Sequence, residues 1–128
     1  MAVTEIGARI KLDGEQEYRE QMRQITQQTK LMQNETKNME SQWGKGTSAM
    51  QKATDQANLL NRQIEQQEKI VSELEKGLEA SAEKYGENAN ETLKWKQQVA
   101  NAKTELNKMR SELSKLPKSL SEVSKSMQ

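Results

Sequence analysis

The chain has 128 residues, with 20 basic and 19 acidic side chains and a net charge of +1. That balance removes the main argument for nucleic-acid binding, which needs a concentrated basic face, and the absence of both cysteine and histidine excludes a disulfide framework, thiol chemistry and the usual metal ligands. Only 32% of residues are hydrophobic and 3% aromatic, against roughly 45% apolar in an ordinary globule, so the composition points to long amphipathic helices.

Residues 4–12 alternate. Ile6, Ala8, Ile10 and Leu12 point one way and Glu5, Arg9 and Lys11 the other, which predicts one short N-terminal β-strand. A single strand must pair with another chain, so residues 1–14 read as a strand-pairing arm, with an unpaired extended arm as the alternative. Asp13 is a candidate N-cap, and Glu15 and Glu17 suit the positive end of the helix predicted over 15–43. Its seam is soft: Tyr18, Met22, Ile25, Met32 and Met39, interrupted by Thr29 and Thr36.

A glycine break over 44–48 precedes a second helix over 49–85, with Thr47 or Ser48 as its cap. This helix has the firmest seam, Leu60, Ile64, Val71, Leu74 and Leu78, with Gln67 inside it. A buried Gln67 either fixes register and partner number or is a tolerated imperfection. A second break over 86–90 offers Gly86 as a left-handed cap and Asn90 as the next N-cap. The third helix, 91–116, carries Trp95, Val99, Ala102, Leu106, Met109, Leu113 and Leu116. Pro117 then stops or kinks the helix, yet Leu120, Val123 and Met127 continue the pattern through 117–128.

One heptad register runs from Tyr18 to Met127 without slipping. Stepping by seven from Met22 gives position a and from Tyr18 position d; 25 of these 32 seam positions are apolar, against 9 of the other 78 in the window. Chance resetting would keep the phase across both breaks about one time in fifty. The phase therefore argues for one continuous rod, whereas the hinge glycines Gly44, Gly46 and Gly86 argue for a helical hairpin. The expected class is all-α: heptad-patterned helices, as rod or hairpin, plus the one strand. The stripe cannot remain in water, so a homo-oligomer of two or three strands is expected. Its seam would be Leu60, Ile64, Val71, Leu74, Leu78, Trp95, Val99, Leu106, Met109, Leu113 and Leu116.

No catalytic constellation is visible. Histidine is missing, and Ser and Lys lie on solvated faces. Gly44 and Gly46 lack the rest of a phosphate-loop motif, so neither enzyme nor cofactor is expected. Trp43 and Trp95 fall on the seam and read as packing residues. No run of ~18 apolar residues spans a membrane, and Met1 to Thr4 do not open a signal peptide, so synthesis in a cytoplasm without general secretion is expected.

The opening strand with Leu12-Asp13-Gly14 and Tyr18 resembles the N-terminal region of tail tape measure proteins of phages infecting Gram-positive bacteria. So does the later run of Leu60, Ile64, Gln67, Leu74 and Leu78, then Tyr85-Gly86, Thr92, Trp95 and the Leu106-Met109-Leu113-Leu116 ladder. The resemblance covers nearly the whole chain. It implies an N-terminal fragment of a structural protein that fills the tail tube lumen and sets tail length. It also implies tail tube protein and tail assembly chaperones as partners, assembly in the bacterial host cytoplasm, and a final place in the virion. Family members are much longer and carry downstream segments that this chain lacks. As one rod, 110 heptad residues would extend about 165 Å. Two rivals remain. A small secreted helical hairpin of the type VII secretion class carries Trp-x-Gly at its turn, but glycines follow Trp43 at 44 and 46. A prefoldin-like coiled-coil holdase carries strands between its arms rather than at one end.

Overall fold

Among the described residues, the computed structural model has three helices: α1 (Ala2–Ser41), α2 (Ala49–Tyr85) and α3 (Asn90–Met127). Residues 15–116 are described with their side chains. The strand expected over 4–12 is not shown, and Ile6, Ala8, Ile10 and Leu12 lie outside the described residues; so do Pro117, Leu120, Val123 and Met127. Among the described residues there is no strand.

The chain folds back at both breaks. Gln21 bonds to Glu73 and Gln63 to Met32, so α1 and α2 are antiparallel. Ser81 meets Thr92 while Gln67 reaches Ala102, so α2 and α3 are antiparallel too. The continuous rod is therefore not the form seen. A 37-residue helix rises only about 55 Å, one third of the rod's length.

α2 and α3 form the close pair. Stepping by seven from the Ser81–Thr92 contact sets Leu74 level with Val99, Gln67 with Leu106 and Leu60 with Leu113, so each a position faces a d position, as antiparallel coiled coils require. One edge of this seam is closed by ion pairs between e positions: Glu68 with Arg110 at 3.0 Å and Glu75 with Lys103 at 3.4 Å. α1 lies along the opposite edge. Its seam residues Tyr18, Met22, Ile25 and Met32 join the cluster of Val71, Leu74, Trp95, Val99, Ala102 and Leu106. Ile70, at a g position of α2, is fully buried in that cluster.

The two turns differ in kind. In the first, the last turn of α1 tightens, with Gln42 and Trp43 donating to carbonyls three residues back. Thr47 Oγ1 accepts from the Gly44 amide at 2.8 Å and Ser48 Oγ caps α2 through the Gln51 amide at 3.0 Å. Trp43 Nε1 donates to Asp55 Oδ2 at 3.0 Å across the bend. In the second, Gly86 takes φ 98° and ψ 153°, a conformation open essentially to glycine alone, and its amide closes α2 on the Ala82 carbonyl. The fully buried Thr92 donates to the Gly86 carbonyl at 2.6 Å. The carbonyl of Ala89, not of Asn90, accepts the first helical bond of α3, from Leu93.

Candidate functional site

α2 is the middle helix and needs two contact faces. Its a and d residues meet α3. Its g and c residues (Leu59, Gln63, Ile70 and Glu73) lie on the α1 side, and they are more polar. Two buried glutamines one turn apart serve the two sides. Gln67 Nε2 donates to the Ala102 carbonyl on α3 at 3.1 Å. Gln63 Nε2 donates to the Met32 carbonyl on α1 at 3.0 Å and to Thr36 Oγ1 at 3.2 Å, while Thr36 itself donates to Met32. A carbonyl has two lone pairs, so that of Ala102 accepts the Gln67 amide without giving up its helical bond, while that of Met32 is shared between Gln63 and Thr36.

The other anchor of α1 is aromatic. The six-membered ring of Trp95 occupies the space above Gly77, and Tyr18 meets Trp95 edge to face, with centroids 5.2 Å apart at 87°. Lys94 lies 5.9 Å over the Tyr18 ring. Gly77 is thus a helix-interior glycine whose missing side chain lets α3 approach α2 and gives α1 an aromatic platform.

The docking of α1 is imperfect. Of its seam only Met32 is fully buried, and Tyr18, Met22, Ile25 and Met39 stay half-buried. Gln28 Oε1 is buried without a hydrogen-bond partner, which costs about 1–3 kcal/mol. Outside the groove, a hydrogen bond from Arg23 holds the Glu20 carboxyl below its ordinary range.

Of the expected seam, Val71, Leu74, Trp95, Val99 and Leu106 are buried, and Leu60, Ile64, Leu78, Met109, Leu113 and Leu116 are half-buried. The five buried ones, with Ile64, Leu78 and Met109, pack in one cluster within the chain. Gly44, Gly46 and Gly86 sit exposed in the turns, and only Gly86 has a positive φ. Trp43 is half-buried and acts through its N–H to Asp55, with Lys52 5.7 Å over its ring, rather than through packing alone.

Ile70, Leu59, Gln63 and Gly77 were not among the residues the sequence singled out, because a heptad reading assigns one face per helix. The e-position charges were a usable signal. Glu68 and Glu75 are acidic where Lys103 and Arg110 are basic, which matches α2 to α3 in antiparallel sense.

Among the described residues no group of histidine, cysteine or carboxylate side chains is placed to hold a metal ion, and no helix is long and apolar enough to cross a membrane. The concave surfaces are grooves between helices, lined mainly by glutamine, glutamate, arginine and lysine around the α1 edge. What the arrangement can do is bind helices. No known protein family, curated protein or solved structure matches this chain.

Proposed function

We propose that this chain is an N-terminal part of a phage tail tape measure protein, a helical scaffold of the tail tube lumen that sets tail length during assembly. The observation that carries the reading is the heptad register, which keeps its phase through two turns where a folded hairpin does not require it. A helix converts residue number into length at about 1.5 Å per residue, and an unbroken stripe lets the same chain associate along its whole extent. Tail tube protein and assembly chaperones are the partners this reading names. Residues 4–12 are the segment it assigns to strand pairing. The compact three-helix form is then the state before the chain is drawn out within the tube.

The test is electron microscopy of virions from the genome that encodes the chain. Removing four whole heptads, 28 residues, should shorten the tail by about 42 Å. Tails of unchanged length, or a genome that yields no tailed particle, would overturn the proposal.

A further inference from the structure

α1 is attached to the α2–α3 pair in a way that a second copy of this chain could satisfy equally well. The contacts that hold it are Gln63 to the Met32 carbonyl, Gln21 Nε2 to Glu73 at 2.7 Å, and Tyr18 against Trp95; the Trp43–Asp55 bond belongs to the turn itself. None depends on α1 and α2 being the same molecule. The turn between them makes no special demand on its glycines, although Thr47, Ser48 and Trp43 tie it by hydrogen bonds. Neither Gly44 nor Gly46 has a positive φ, and a Cβ on either would meet nothing within 4 Å. The second turn, by contrast, is fixed by the φ of Gly86 and by Thr92 and Ser81.

The phase decides what happens if the first turn straightens. α1 and α2 share one a/d register across residues 44–48. Joined as one helix, both therefore turn their buried stripes to the same side. Two bundles stacked end to end on a common axis require this, and an arbitrary phase would meet it about one time in seven. The caps at Thr47 and Ser48 would give way to helical hydrogen bonds, and every α1 contact would re-form between copies.

We infer that α1 is exchanged reciprocally between two copies of this chain: residues 42–48 become helical, α1 and α2 run on as one helix, and each α1 fills the groove beside Ile70, Gln63 and Gly77 of the other copy. Exchange of an identical element costs little, because the groove keeps its contacts and only the hinge changes. Over residues 15–85 the joined helix spans about 105 Å.

The chain has no cysteine, so single thiols can be placed cleanly. Chains bearing Gln21→Cys and chains bearing Glu73→Cys are mixed, concentrated together and treated with a short bismaleimide. The expected product is a covalent two-chain species that needs both variants, and neither variant alone should give it, because like positions lie at opposite ends of the exchanged dimer. A chain carrying both substitutions links within itself as a monomer and proves the reach. Gly44→Ala with Gly46→Ala should favour the helical hinge by about 30-fold per hinge, read as a shift toward dimer in light scattering, with a maximum dimension near twice that of the monomer.

A dimer without the 21–73 interchain link overturns the inference. So does a protein that stays monomeric in both experiments, or a double alanine variant with less dimer. The exchange does not rest on the tape-measure reading: linked dimers alongside tails of unchanged length would sink that reading and leave this one standing.

Discussion

Trp95 occupies the space that a side chain at Gly77 would fill. A Cβ there would stand 2.6 Å from Cε3 of the ring and closer still to two neighbouring ring atoms. Alanine at 77 gains about 1 kcal/mol of helix propensity but must displace an indole that also supports Tyr18. Overpacking costs roughly 1–3 kcal/mol, so Gly77→Ala should be destabilising on balance. Urea unfolding followed by tryptophan fluorescence reads both the stability and the displaced ring. A stabilised Gly77→Ala protein with unchanged emission would mean that the ring lies elsewhere.

Gln63 and Gln67 should fail in different places. Each hydrogen bond lost costs about 1 kcal/mol, two for Gln63→Ala and one for Gln67→Ala. Gln63→Ala releases Met32 and Thr36, so amide exchange should quicken along α1 and leave α3 unchanged. Gln67→Ala should quicken exchange around Ala102 and leave α1 as it was. Hydrogen exchange by mass spectrometry separates the two, and equal effects on both flanking helices would contradict the assignment.

The second turn should be the less forgiving. Gly86→Ala places a side chain at φ 98°, a strain of order 1–3 kcal/mol. Thr92→Val leaves the Ser81 hydroxyl and the Gly86 carbonyl without a fully buried partner, at about 1–3 kcal/mol. Gly46→Ala meets neither problem. Thermal unfolding by circular dichroism should therefore rank Gly46→Ala well above the other two; equal melting temperatures for Gly46→Ala and Gly86→Ala would be incompatible with these turn geometries.

The ion pairs set orientation more than stability. Glu68–Arg110 and Glu75–Lys103 are about half exposed, so a double-mutant cycle on either should return 0.2 to about 1 kcal/mol, shrinking with added salt. A coupling above ~2 kcal/mol would show that they are far better shielded. Acid should act in the same direction through Glu20. Its carboxyl is held below its ordinary range by Arg23, so its contribution is present above the unfolded-state value and lost as pH falls through the lower folded-state one. Arg23→Gln should reduce that acid sensitivity in pH titrations of stability.

The all-helical class was legible because period and composition agree: with Leu, Val and Met recurring every third and fourth residue, nothing else can bury them. Val71, Leu74, Val99 and Leu106 could be placed on one stripe for that reason. Ser48 and Gly86 could be placed because caps and positive-φ sites have few chemistries. What periodicity could not supply is which stripes meet. Ile70 and Gln63 look solvent-facing until α1 folds back over them, and Gly77 looks like a weak point until Trp95 arrives. The preserved phase favoured a rod on probability alone, because neither turn leaves a mark on the a/d pattern.

Both buried glutamines on α2 reach main-chain carbonyls of their neighbours, Gln63 that of Met32 and Gln67 that of Ala102. Every residue except its side chain looks alike to such an amide. Met32 and Ala102 can thus be exchanged for other residues of fitting size without breaking the bond, while replacing Gln63 or Gln67 by a residue without a donor removes it. Sequence drift in α1 and α3 would leave the clasp intact, and no compensating change would be demanded across the interface. The geometry of the bundle is in this sense inherited through one helix.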